Sequence, residues 1–141
     1  MIEIQEARKG SQMLEIFEIR RHVFVLEQAV DPKEEYDEFE NSSTHFIAKF
    51  MGVAAGTCRY RETDKGIKLE RFAVLKSYRG KRIGAALVEK CLEKIGNTDK
   101  MIYLHGQLQA VPFYEKLGFE CTGPQFKEAG IEHFKMFYNP R

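Results

Sequence analysis

The chain has 141 residues, 43% of them hydrophobic and 30% charged, enough for one domain whose core needs no metal or disulfide staple. Its formal net charge of +1 lacks the basic excess that nucleic acid or an anionic membrane requires, so neither is expected as a partner. Cys58, Cys91 and Cys121 stand far apart without CxxC or CxxH spacing, which predicts reduced, packed thiols and no zinc site. No segment has the length of a membrane span and the N-terminus carries no apolar signal core, so the expected address is cytoplasmic.

Residues 2–7 alternate like a short strand. In "SQMLEIFEIRRHVFVLEQ" the apolar positions Met13, Leu14, Ile16, Phe17, Ile19, Val23, Phe24 and Leu26 predict a helix over about 11–28, with Ser11 as its N-cap. The loop that follows holds six acidic residues between Asp31 and Glu40 against Lys33. "THFIAKF" and "VAAGTCRY" read as strands joined by a Met51–Gly52 turn, and "GIKLERFAV" completes an antiparallel meander. From about Gly80 to Ile95 the stripe Ile83, Leu87, Cys91 and Ile95 predicts an amphipathic helix. The strand "MIYLHG", a helix near 108–117 closed by Gly118, and a hairpin of "FECTG" and "HFKMFY" finish the chain. No repeat or linker interrupts this order, which predicts a single α/β layered domain over residues 1–141 with a mixed sheet.

The stretch "SYRGKRIGAAL" places Arg79, Lys81 and Arg82 at a helix start, where the macrodipole favours negative charge. An anion resolves the conflict. Backbone N–H groups at a helix N-terminus bind phosphate, Gly80 and Gly84 leave the backbone accessible, and a pyrophosphate is the natural guest; the plain alternative is a solvated basic helix start. Neither the Walker pattern nor GxGxxG is present, so a nucleotide-binding module of either kind is not indicated.

"FAVLKSYRGKRIGAAL" resembles motif A of the GNAT family of N-acetyltransferases, Gln/Arg-x-x-Gly-x-Gly/Ala, with Arg79 first, Gly84 last and Arg82 in place of the middle glycine. "AVPFYEKLGF" is similar to the family's late helix-turn motif, in which the tyrosine matching Tyr114 lies near the coenzyme sulfur, and Gln107 stands where the family has asparagine. "RRHVFVLEQAVDPKEEYDEFE" resembles a subgroup of small bacterial acetyltransferases of the ElaA and YjcF type, related to glucosamine-phosphate acetyltransferases. The resemblance implies a single-domain GNAT fold: a mixed, mostly antiparallel sheet flanked by helices and splayed between its fourth and fifth strands. It implies acetyl-CoA as cosubstrate without a metal. The pyrophosphate would lie on Arg79, Gly80, Lys81, Arg82, Ile83 and Gly84, and the pantetheine arm along Phe72, Ala73 and Val74 like an added strand, with the Gln107 amide bonding to it. The implied activity is acetyl transfer to a primary amine of a small molecule or amino sugar by direct attack in a ternary complex; a non-catalytic acyl-CoA-binding or sensory domain of the same fold is the alternative.

Such a transfer needs a proton donor for the departing thiolate and an acceptor for the amine's proton. The resemblance makes Tyr114 the acid, its competing role being packing with Phe113 and Phe119. Glu70, in a strand expected to be central, is the first candidate base; an ion pair with Lys68, Arg71 or Arg59 is its competing role. His105, at the end of "MIYLH", is the second, because imidazole suits proton relay near neutral pH. Glu27 and the acidic run would attract a cationic amine unless they are simply solvated. Arg20 would bind an anionic substrate group or brace that loop. A homodimer is compatible with all of this.

Overall fold

The computed structural model describes residues 1–8 and 10–140. Strand β1 (Ile2–Glu6) leads to helix α1 (Gly10–Arg20), which continues as a wider π-helical turn over Arg21–Glu27, marked by the Gln28 N–H reaching back to the Val23 carbonyl at 3.1 Å. The expected helix is there, with two corrections. Ser11 lies inside the first turn rather than at the cap, and the Gln12 side chain instead accepts from the Arg8 N–H at 2.9 Å. Ile16, Ile19 and Val23 are buried, but Leu14 and Leu26 are exposed; the wider π turn rotates the last residues off the apolar face.

A short helix α2 (Pro32–Glu35), capped by the Asp31 side chain accepting from the Lys33 N–H, crosses to the meander. Its strands are β2 (Thr44–Phe50), β3 (Val53–Thr63) and β4 (Gly66–Val74). Met51 and Gly52, with φ of 51° and 83°, make the left-handed two-residue turn that matches strand twist. Helix α3 (Ile83–Ile95) carries the chain over to β5 (Ile102–Gln107), which runs parallel to β4. A 3-10 turn and α4 (Val111–Lys116) follow, then β6 (Phe119–Glu128) and β7 (Ile131–Tyr138). The seven strands form one mixed sheet in the order β1-β2-β3-β4-β5-β7-β6, antiparallel except for β4 and β5.

Strand pleating sends alternate side chains to opposite faces, and each face receives its own helices. Ile16 and Ile19 of α1 and Val23 of the π-helical turn pack with Ile47 and Ala73 on one side. On the other, Ile83, Leu87 and Cys91 of α3 and Tyr114 of α4 meet Phe46, Leu69 and Leu104. A Cβ on Gly56 would stand 3.0 Å from Ile83 Cγ2 and 3.3 Å from Leu87 Cδ1, so its absence lets α3 lie close to β3. Cys58 and Cys91 are packed in this layer, Sγ to Sγ 3.5 Å, whereas Cys121 is exposed on β6 against expectation. No helix among the described residues is long and apolar enough to cross a membrane.

The feature that positions the site is the short contact between β4 and β5. They pair only over Ile67–Leu69 and Ile102–Leu104. Past that point the β3–β4 register shifts, and Arg71 takes a left-handed conformation with φ of 59°. That conformation costs a residue with a Cβ about 1 kcal/mol, and Arg71 is held in it by bonds to the Glu35 carbonyl (3.4 Å), the Glu34 carbonyl (3.3 Å) and Asp37 (3.2 Å). The Leu75 N–H bonds back to the Ala55 carbonyl, so by alternation the Phe72 and Val74 amides face the gap between the diverging strands.

Candidate active site

Where β4 and β5 part, a cleft of about 420 Å³ opens, and Glu70, Phe72, His105, Gln107 and Tyr114 all line it. Five residues singled out from the sequence thus converge. Ala73 and Val74 lie just beyond on β4, with the Ala73 side chain buried under α1, so only its backbone is available.

Tyr114 sits in α4, 8% exposed, with its ring against Phe113 (5.0 Å between centroids), Phe72 (6.0 Å) and Phe119 (6.1 Å). Packing and site lining therefore coexist. Burial, reinforced by the neighbouring Cys58 and Cys91 thiols, pushes its phenol pKa well up, which keeps it protonated across the working pH range. Gly106 makes room for this ring: a Cβ there would stand 3.3 Å from Tyr114 Cδ2.

Glu70 takes the structural role of its two. Its carboxylate accepts from Arg59 Nε (2.7 Å) and Arg61 Nε (2.8 Å) and pairs with Lys68 Nζ (3.2 Å). Burial pushes its pKa up, but the charges of Arg59, Lys68 and Arg61 and the Arg61 hydrogen bond outweigh that and hold it at about 2. A carboxylate so held is a poor proton acceptor at neutral pH. Asp37 is likewise brought to about 2, its burial outweighed by the hydrogen bond and charge of Arg59. Because both folded values lie below the ordinary 4.5 and 3.8, the stability they confer is present above those values and lost as pH falls toward 2. We predict that urea midpoints fall steeply between about pH 4.5 and 2, with Glu70 alone contributing roughly 3 kcal/mol. A midpoint independent of pH across that window would contradict the pairing.

His105 meets an unanticipated partner. Its Nδ1 lies 3.0 Å from Glu128 Oε1, so Nδ1–H donates and Nε2 is left to accept a proton. The hydrogen bond from His105 lowers the Glu128 pKa, with Lys68 and His133 assisting. His133 Nδ1 donates to the Ile131 carbonyl at 2.7 Å, and its Nε2 is 3.9 Å from the other Glu128 oxygen. The Gln107 amide donates to the Gln28 side chain at 3.0 Å and accepts from Gln109 at 2.6 Å, tying the end of β5 to the end of the π-helical turn that follows α1.

On the substrate side, Arg20 takes the bracing role of its two, and Glu27 is already paired. Arg20 is 1% exposed and spent on Glu35 (2.6 Å), the Glu35 carbonyl (2.8 Å) and both oxygens of Glu40 (2.9 Å each), so it braces the acidic loop and is closed to a ligand. Glu27 is taken by a two-pronged pair with Arg79, at 2.6 and 2.7 Å. The acidic run is no free field either, since Glu35, Asp37 and Glu40 are paired to Arg20, Arg59 and Arg71.

The basic loop has the backbone of an anion cradle. The first bond closing α3 runs from the Ala86 N–H to the Arg82 carbonyl, 3.1 Å, so the amides of Ile83, Gly84 and Ala85 have no intrahelical partner. Gly80 has φ of 79°, with open space where a Cβ would stand. Arg82 has φ of 66° and makes no side-chain cap bond, which explains why a glycine suits this position. Arg79 does not offer its side chain to the loop, because its Nε donates to the Val74 carbonyl at 3.0 Å while its other nitrogens hold Glu27. Lys81 lies over the Phe50 ring at 5.3 Å. Gly84 has a packing reason as well: a Cβ there would meet Phe113 Cζ at 3.2 Å.

A splayed β4–β5 edge, an unspent helix N-terminus beside it and a buried tyrosine over the gap define an acyltransferase of the GNAT class. Residues 9–139 match the family described as Acetyltransferase (GNAT) domain, and the chain belongs to it. It is 40% identical, over 92% of its own length and 94% of the other's, to the Bacillus subtilis (strain 168) protein "Uncharacterized N-acetyltransferase YjcF". The crystal structure of Escherichia coli ElaA superposes with a TM-score of 0.83 at 25% identity, covering 99% of this chain and all of that one. A GNAT acetyltransferase from Elizabethkingia anophelis, solved with acetyl-CoA bound, shares the fold with a TM-score of 0.69 at 21% identity over 96% and 94% of the two chains. The family and the name of this relative make the chain an enzyme of the acyltransferase type.

Proposed function

We propose that the protein transfers the acetyl group of acetyl-CoA to a primary amine of a small molecule by direct attack in a ternary complex. The observation that carries this is the 420 Å³ cleft at the strand divergence, which holds a protonated tyrosine and a carboxylate-anchored histidine together. The α3 N-terminus and the loop Arg79–Gly84 bind the pyrophosphate through backbone amides, while the gap-facing amides of Phe72 and Val74 hold the pantetheine arm and the acetyl oxygen. Tyr114 donates a hydrogen bond to the departing sulfur; with its pKa raised above the thiol range near 8.5, it shares rather than fully surrenders its proton. His105 Nε2 accepts the amine's proton, directly or through water, with Glu128 fixing the ring. An amino sugar as acceptor follows only the sequence likeness to glucosamine-phosphate acetyltransferases.

Acetyl-CoA at about 100 times its dissociation constant is expected to stabilise the fold by roughly 2.7 kcal/mol, while ATP and NAD produce no shift. Thermal unfolding with each ligand checks this; an equal response to all three, or none to acetyl-CoA, would sink the assignment.

A further inference from the structure

Arg61 of β3 and Lys68 of β4 stand directly opposite each other in register, a like-charge pair that ordinarily destabilises a sheet. Both line the cleft, with side chains 16% and 12% exposed. One carboxylate serves both, since Glu70 takes Arg61 Nε and Lys68 Nζ, and Arg59 draws on the same group. Arg59 is compensated further by Asp37 and Glu40; Lys68 feels the Glu128 charge besides, and Arg61 pairs with no second carboxylate among the described residues.

Donor capacity is left over at this spot. Arg61 lies over the Phe39 ring at 3.8 Å and spends only its Nε, so its terminal nitrogens have no acceptor among the described residues. No buried side-chain nitrogen among those residues lacks a partner, so these nitrogens are open to solvent, and Arg61 is one of the residues that line the cleft. Lys68 uses one of its three N–H donors. The neighbouring cleft carboxylates leave these donors unbonded: Glu35 and Asp37 are paired to Arg20, Arg59 and Arg71, and Glu128, which feels the Lys68 charge, gives its close contact to His105.

We propose that Arg61 and Lys68 form an anion subsite of the acceptor pocket, which receives the carboxylate or phosphate of a small amine whose nitrogen reaches His105. Arg61 supplies a planar fork and Lys68 a point charge, the combination that holds a multi-oxygen anion. Lys68 lies beside Tyr103 in register, and His105 is two residues further along β5. Strand spacing and rise put the Cα atoms of Lys68 and His105 roughly 8 Å apart before the strands diverge, a separation suited to a short amino acid or a phosphorylated amino alcohol or sugar rather than a polyamine or a lysine-rich peptide.

The inference rests on the acetyltransfer reading, and its test separates the two. Acceptors are matched with and without the anion: β-alanine against propylamine, and phosphoethanolamine against ethanolamine. The anionic member of each pair is expected to show about tenfold or greater kcat/KM, and Lys68→Gln to erase that advantage by raising KM alone. Arg61→Gln is expected to act alike, with CoA-induced stabilisation as its folding control. Thermal shifts in the presence of CoA, which need no turnover, are expected only with the anionic members. Equal or better use of the neutral amines, an advantage unchanged in Lys68→Gln, or shifts blind to the anion would each overturn the subsite. If no amine turns over although CoA binds, the acetyltransfer reading fails, and the anion-dependent shift still decides the subsite.

Discussion

Tyr114→Phe is expected to lower kcat for acetyl transfer by about 10²–10⁴-fold, the range for loss of a positioned proton donor, with acetyl-CoA affinity and folding stability nearly unchanged. The substitution keeps the ring against Phe72, Phe113 and Phe119 and removes only the hydroxyl, which has no hydrogen-bond partner among the described residues. Folding therefore leaves nothing unpaired when the hydroxyl is gone. A purely packing role would show the reverse pattern: Phe would match the wild-type rate, and only truncation to Ala would matter. Steady-state rates under chemistry-limited conditions, with urea titrations of the same samples, distinguish the two. A wild-type rate for Tyr114→Phe would remove Tyr114 from the mechanism.

The largest stability effect is expected at Arg59. Its guanidinium is buried, donates to Asp37 at 2.7 and 2.9 Å and to Glu40 at 2.8 Å, and reaches Glu70 at 2.7 Å. It joins the loop after α2 to the centre of the sheet. Removing one partner of a buried ion pair typically costs 3–5 kcal/mol, because the remaining charges stay desolvated, so Arg59→Ala should lose about that much. The exposed pair Arg21–Glu18 is the control; Arg21→Ala should change stability by less than about 1 kcal/mol. Urea midpoints of the two variants give the answer. An Arg59→Ala protein as stable as Arg21→Ala would mean that the network is solvated and the acidic loop only loosely seated.

The contrast between these two residues shows where sequence alone reaches. Tyr114 was visible because "AVPFYEKLGF" carries a likeness, and α3 and the meander because their periods of 3.6 and 2 follow directly from which faces are buried. The Arg59 network was half visible. Arg59 with Arg61 and Lys68 with Glu70 recur at spacing two, which puts all four charges on one face of adjacent strands. Their partners Asp37 and Glu40 lie some twenty residues away in a loop that composition presents as solvated, and only the chain's path over the sheet brings them in. Glu128 was missed for a different reason. The hairpin expected from "FECTG" stops short, whereas β6 runs on past Pro124 to Glu128 with a register shift between Thr122 and Phe126, which an edge strand tolerates. Arg82 shows the converse: its departure from the pattern was plain in the sequence, and its backbone keeps the conformation a glycine would have supplied.

The most direct measurement of the central claim is release of free thiol from acetyl-CoA by the purified protein across a panel of primary amines, with the acetylated amine identified by mass. The account predicts amine-dependent thiol release with stoichiometric N-acetyl product, reduced at least a hundredfold in Tyr114→Phe. Thiol release that does not depend on the amine, or an amine recovered unmodified throughout the panel, would contradict it.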